Sequence, residues 1–233
     1  MDHLSGRLLA AAILTTAALA GALTGIAKAA PTALSPPSCS RNPYAYAGLF
    51  TNNPAQGITA TLTTLALAHV PSGHVAGWIG LGGPHAGPNG QAEWLQTGLN
   101  TIAGGQSQLY AEIAQPGHPI KYLTLAATTK PGTPYRLTLE QTPGKTGTWQ
   151  VLVNGKPATG RIALPVSNDF TPMAMSESWN AGTPTCNGYS YRFTRLQINN
   201  NGTWRPLTNP SALTDTGYTI THQTNTSFTA LSA

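Results

Sequence analysis

Charge is what this sequence has least of. Asp, Glu, Lys and Arg make up 8% of its 233 residues, with 12 basic side chains against 7 acidic ones. Apart from Asp2, the acids are Glu93, Glu112, Glu140, Asp169, Glu177 and Asp215. The basic residues form no run and no basic helix, which argues against a nucleic-acid surface. Cysteine occurs twice, so CxxC, haem-attachment and zinc spacings are absent. His69, His74 and His85 lie close together, but nothing like H-E-x-x-H joins them. No metal and no cofactor is expected. Gly80-Leu81-Gly82-Gly83 is not a nucleotide loop, because no helix follows it. After Ile26 no apolar run is long enough to span a bilayer. No stretch carries a strong helical period.

What is present begins with a leader. Arg7 precedes an apolar run from Leu8 to Ile26, followed by Ala27-Lys28-Ala29. A basic start, an apolar centre and an A-x-A site predict a signal peptide over residues 1–29, with an uncleaved anchor as the rival. Residues 30–43 are rich in Pro and Ser and read as an extended arm. Cys39 and Cys186 both sit in turn-rich surroundings. An export signal with an even cysteine count predicts one disulfide between them. Closing so long a loop is worth about 5 kcal/mol in the chain-entropy model. Residues 44–233 are of a length that suits one domain. The chain is expected to be extracellular and monomeric.

Short alternating runs fill that domain. Tyr44 to Phe50, Val75 to Leu81, Ala92 to Leu99 and Gln108 to Ile113 read as strands separated by Gly, Pro and Asn. So do Ile120 to Thr128, Tyr135 to Glu140, Trp149 to Val153, Arg161 to Leu164, Pro172 to Trp179 and Ser227 to Ala230. Ile58 to Val70 changes parity between Leu62 and Leu65, which predicts a bent strand. Asn154-Gly155 predicts a two-residue type I′ turn, whose central residues both need positive φ. Tyr191 and Phe193 have one parity, Leu196 and Ile198 the other, which predicts a bulge near Thr194-Arg195. Ten to twelve such strands, each with one apolar face, predict an all-β fold of two packed antiparallel sheets.

One stretch adds a resemblance. Gly77-Trp78-Ile79-Gly80-Leu81-Gly82-Gly83, then Trp94-Leu95-Gln96-Thr97-Gly98, then Tyr110-Ala111-Glu112, resembles the glutamic endopeptidases called eqolisins. The family has a W-V-G-I-D-G strand, an L-Q-T-G strand and a strand with a Y-E pair. The resemblance implies a concanavalin A-like, jelly-roll type β-sandwich and a Gln/Glu catalytic pair. Gln96 matches the family's glutamine. The nearest match to the A-E-W glutamate is Glu177, in Ser176-Glu177-Ser178-Trp179. In such a pair the carboxylate deprotonates a water, and the amide donates to the oxyanion that develops.

The residues admit plainer roles as well. Gln96 on a strand can be a solvated side chain. Glu177 shares a parity with Met173, Met175 and Trp179, so it falls on their face, where a buried carboxylate needs partners or a function. Glu112 is the competing carboxylate and, by resemblance, lines the cleft. Trp78, Trp94 and Trp179 are expected in core or cleft wall. Glu93 has the opposite parity to Trp94 and Gln96 and is expected to face solvent. The leading expectation is a secreted hydrolase of peptide bonds, with Gln96 and Glu177 catalytic and Trp78, Glu112 and Trp179 lining the cleft. The alternative is a non-catalytic binding module for glycan or cell-surface ligands, and a surface protein without any small-molecule site is the third reading.

Overall fold

The computed structural model describes residues 39, 42–164, 170–180, 182–184 and 186–232. The expected signal peptide and most of the expected arm lie outside the described residues. The strands, in chain order, are β1 (Tyr44–Phe50), β2 (Gly57–Thr64), β3 (His74–Gly83), β4 (Glu93–Ile102), β5 (Ser107–Ala114), β6 (Lys121–Ala126), β7 (Pro134–Gln141) and β8 (Thr148–Val153). There follow β9 (Lys156–Pro157), β10 (Ile162–Ala163), β11 (Pro172–Trp179), β12 (Ser190–Asn200), β13 (Thr203–Pro206), β14 (Ser211–Thr214), β15 (Tyr218–Thr224) and β16 (Ser227–Ser232).

Two antiparallel sheets result, so the fold is the all-β sandwich expected. One sheet runs β14-β1-β11-β3-β4-β5-β6. The other runs β10-β8-β7-β2-β12-β16-β15, with β13 beside β12 and β9 beside β8. Period-two side-chain alternation sends one set of each strand inward. Val75, Ile79 and Leu81 on β3, and Leu95 and Leu99 on β4, meet Ile58, Leu62, Leu137 and Leu139 from the second sheet in one core. Phe193 and Phe228 stack there with centroids 4.5 Å apart. Gly77 also points inward, where a Cβ would come within 2.7 Å of the Tyr191 ring. A glycine at that point lets the sheet backbone approach the tyrosine.

Local chemistry places the breaks. Asn154 and Gly155 both have positive φ, at 52° and 77°, and join β8 to β9. The bulge in β12 falls between Thr194 and Gln197, where Arg195 takes φ 54°. Strand β2 stops at Thr64 instead of bending on to Val70. The parity change at Leu65 therefore marks a strand end: beyond it the chain returns only as an isolated bridge between His69 and Gly188. Cys39 and Cys186 are disulfide-bonded across a sequence separation of 147.

Candidate active-site groove

The outer face of the β1/β11/β3/β4/β5 sheet carries a second cluster of apolar side chains. Ala76, Trp78, Tyr110 and Met175 are buried in it, with Tyr46, Phe50 and Met173 packed against them. All of these but Phe50 line a groove of about 780 Å³ that Gln96, Glu112 and Glu177 also line. Alternation puts all of these on one face: residues 76, 78 and 80 of β3, 94 and 96 of β4, 110 and 112 of β5, and 173, 175 and 177 of β11.

Register decides which of them meet. Gln96 is the direct cross-strand partner of Glu112 on β5 and of Gly80 on β3. Direct antiparallel partners have Cβ atoms about 4.5–5.5 Å apart. Across Gly80, the partner on β11 is Met173. Glu177 pairs instead with Ala76, which pairs with Asn100 on β4. Glu177 and Gln96 thus face the same groove, two strands apart and four residues out of step. Four residues amount to about 13 Å along a strand.

The two carboxylates have separate surroundings. Glu177 Oε1 lies 2.9 Å from His74 Nε2, and its Oε2 accepts from Trp78 Nε1 at 3.1 Å. Glu112 Oε1 accepts from Trp94 Nε1 at 3.0 Å. Burial pushes the Glu112 carboxyl above the ordinary carboxylate range; the Trp94 hydrogen bond works against that shift, and repulsion from Glu177 adds to it. Gln96 Nε2 donates to Tyr110 Oη at 3.3 Å, which leaves its second N–H and its carbonyl oxygen to offer a ligand. Asn100 Nδ2 donates to Tyr122 Oη at 2.8 Å, and the Tyr110 and Tyr122 rings stack at 5.3 Å.

Trp78 separates the two carboxylate regions. Its indole nitrogen reaches Glu177, while its benzo edge covers Gly80. A Cβ on Gly80 would come within 2.7 Å of Trp78 Cζ3 and 3.5 Å of Gln96 Cβ. Glycine at 80 is what lets the indole lie flat. Gly98, the cross-strand partner of Trp78, makes the same allowance, since a Cβ there would meet the Trp78 backbone and Cβ within 2.7 Å.

Scytalidoglutamic peptidase, solved with a peptide-based transition-state analogue, superposes with a TM-score of 0.56 at 13% identity, covering 84% of this chain and all of the other. SCP-B, a member of the eqolisin family of peptidases solved with the tripeptide Ala-Ile-His, gives 0.58 at 11% identity with the same coverage. The fold is that of the glutamic peptidases. No protein-family model matches the sequence, and no curated protein matches it.

Within this eqolisin-type sandwich, the residues singled out from sequence fall as follows. Gln96, Glu112, Glu177 and Trp78 line the groove. Trp179, expected in the lining, is not part of it; it packs beside two residues that are, tilted against His74 at 5.4 Å and against Tyr44 at 6.1 Å. Glu93 does not face solvent: it is 0% exposed. Its parity was read correctly, but Trp94 and Gln96 form the outer face, so Glu93 turns inward with Leu95, Thr97 and Leu99. Sequence reasoning missed Tyr44, Tyr46, Asn100 and Tyr122, and considered His74 only for a metal site that its spacing did not support. Alternating Tyr-Ala-Tyr-Ala on β1 was the available signal for the first two.

Proposed function

We propose that this is a secreted protein whose groove binds an extended polypeptide and hydrolyses it by carboxylate–amide chemistry, with Gln96 and Glu112 as the reacting pair. The observation that carries the reading is the direct pairing of Gln96 with Glu112 across β4 and β5 on the groove face. Burial gives Glu112 the raised pKa that suits a proton-shuttling carboxyl. The fold neighbours solved with peptide ligands are consistent with a polypeptide in this groove. The Cys39–Cys186 disulfide is consistent with an oxidising, extracellular setting. Among the described residues no helix is long and apolar enough to cross a membrane.

The chemistry proceeds in two steps. Ionised Glu112 takes a proton from a water held between it and the Gln96 carbonyl oxygen. The resulting hydroxide adds to the scissile carbonyl carbon, and the Gln96 N–H donates to the oxyanion. Protonated Glu112 then returns its proton to the amide nitrogen as the C–N bond breaks, leaving a carboxylic acid and an amine.

The test is cleavage of a denatured protein by the purified mature chain from about pH 2 to 8, beside Glu112→Gln, Gln96→Ala and Glu177→Gln. Loss of cleavage in the first two, with the fold intact, supports the pair. Cleavage that survives Glu112→Gln and is lost in Glu177→Gln moves the base to Glu177.

A second reading has its own observation. On β11 the residue in Gln96's row is Met173, a thioether with no proton to exchange. A groove that binds peptide without cutting it fits that residue, and peptide binding with no product at any pH would establish it.

A further inference from the structure

The sheet that does not carry the groove has a pocket of its own, of about 370 Å³, lined by Arg136, Arg195, Gln197 and Thr226. It opens on that sheet's outer face. Ile58, Ala60 and Leu62 of β2 point into the core, so Thr59 and Thr61 point out. Gln197 is the cross-strand partner of Thr59, and Arg136 that of Thr61, so both point out as well. Two guanidinium groups and no acid line the pocket. Neither arginine has a carboxylate partner among the described residues.

The backbone is shaped to bring these two charges together. Phe193 and Leu196 are both buried, so two residues, Thr194 and Arg195, stand between them where alternation allows one. Arg195 is exposed and takes φ 54°, an unfavourable conformation for a long side chain. The bulge is fastened on both sides. Leu196 N donates to Thr226 O at 2.9 Å. Arg136 reaches across β2, where Nη1 donates to Arg195 O at 3.0 Å and Nη2 to Gln197 Oε1 at 3.4 Å. Those bonds fix the plane of the Arg136 guanidinium and leave its other N–H groups for a ligand. Burial first, and the Arg195 charge second, hold the Arg136 group below its ordinary pKa. A second cation placed beside a half-buried one is unfavourable until an anion joins them.

We propose that Arg136 and Arg195 form a binding site for a phosphate group, either the free ion or a phosphate monoester. Two guanidinium forks suit a tetrahedral oxyanion, and their two charges suit the roughly −1.5 to −2 of a phosphate monoester at pH 7. A carboxylate brings about half of that charge. Gln197, whose carbonyl oxygen Arg136 occupies, keeps its NH₂ to donate to a further phosphate oxygen, and Thr226 supplies a hydroxyl. No residue of the groove takes part, so the site is independent of the peptide reading above.

The experiment is calorimetry on the purified mature chain at pH 7 and low salt, with inorganic phosphate, glycerol 2-phosphate and acetate. Saturable one-to-one binding of phosphate is expected, at least about ten-fold tighter than acetate and weakening as salt is raised. Glycerol 2-phosphate binding as tightly as inorganic phosphate identifies a monoester site; its exclusion identifies a site for the free ion. Arg195→Gly removes the guanidinium and keeps the bulge, because glycine takes φ 54° freely. It is expected to weaken phosphate about ten-fold or more, and Arg136→Lys, which trades the fork for a point charge, to weaken it as well. Lys121→Ala, on β6 of the groove sheet, leaves the affinity unchanged. Three results overturn the proposal: no saturable phosphate binding by the unaltered protein, equal affinity for phosphate and acetate, or phosphate binding that Arg195→Gly does not alter.

Discussion

Gln96 and Glu177 share one face of one sheet and stand in different cross-strand rows. The carboxylate that shares a row with Gln96 is Glu112. Removing the charge from each glutamate therefore separates two roles. Glu112→Gln is expected to abolish peptide hydrolysis, and Gln96→Ala to lower kcat by roughly 10²–10³, the usual cost of one oxyanion donor. Glu177→Gln, which loses the charge paired with His74, is expected to retain hydrolysis and to act mainly through KM. Steady-state kinetics of the three variants on one peptide substrate distinguishes these outcomes.

The raised Glu112 pKa makes stability depend on pH in a defined direction. Its carboxyl holds a proton in the folded state at a pH where the unfolded chain has released it. Stability contributed by protonated Glu112 is thus complete at low pH. It is lost as pH rises from about 4, the unfolded glutamate value, through the higher folded value. Glu112→Gln keeps an acceptor for Trp94 and has no charge to desolvate. Its stability relative to the unaltered protein is expected to increase between pH 4 and pH 7, as read from urea midpoints at each pH. A constant difference across that range would show that Glu112 does not titrate out of step with the unfolded chain.

Gly98→Ala tests the floor. Its Cβ would fall 2.1 Å from Gly77 O, a backbone atom that moves only with its strand. A destabilisation of about 1–3 kcal/mol is expected, with a red-shifted tryptophan emission as Trp78 loses its seat. Gly80→Ala meets the Trp78 ring instead, at 2.7 Å. It is expected to cost less stability and to tilt the indole away from Glu177, which peptide affinity would report.

Cys39→Ser with Cys186→Ser releases the covalent ring. The expected loss is about 2–5 kcal/mol, seen as a lower denaturation midpoint at unchanged m. Spectra of the folded double variant should match the parent, because the disulfide joins the chain ahead of β1 to the loop after β11 and lies outside the sandwich core.

Much of the sandwich was legible because alternation is a local signal. β1 and the strands containing Trp78, Gln96, Glu112 and Glu177 were all visible as alternating runs, and Asn154-Gly155 and the β12 bulge were readable from turn chemistry and parity. β14 and β15 were not. β14 is exposed along its whole length at a sheet edge, so it has no apolar face to show, and β15 is broken near His222, which takes φ 52°. The site was legible only as a set of residues on one face. Which rows align is fixed by pairing between strands far apart in sequence, and nothing local to Ser176-Glu177-Ser178 encodes that its row holds Asn100 and not Gln96. Glu93 shows the same limit: parity gives two faces, and only the second sheet says which is inside.

The position of β11 has a consequence for how the molecule is made. It lies between β1 and β3, yet it is synthesised long after both. Until residue 179 is available, β1 and β3 have no common partner and each keeps an open hydrogen-bonding edge. A nascent chain can pair β3, β4 and β5 as consecutive hairpins, but Met173, Met175 and Glu177 enter later, wedged between β1 and β3, and Leu213 of β14 follows them. Groove assembly is therefore a late, non-local event and is expected to set the pace of folding. A chain ending before β11 would leave β1 without either neighbour and β3 and β2 each with an open edge, the situation in which β proteins aggregate.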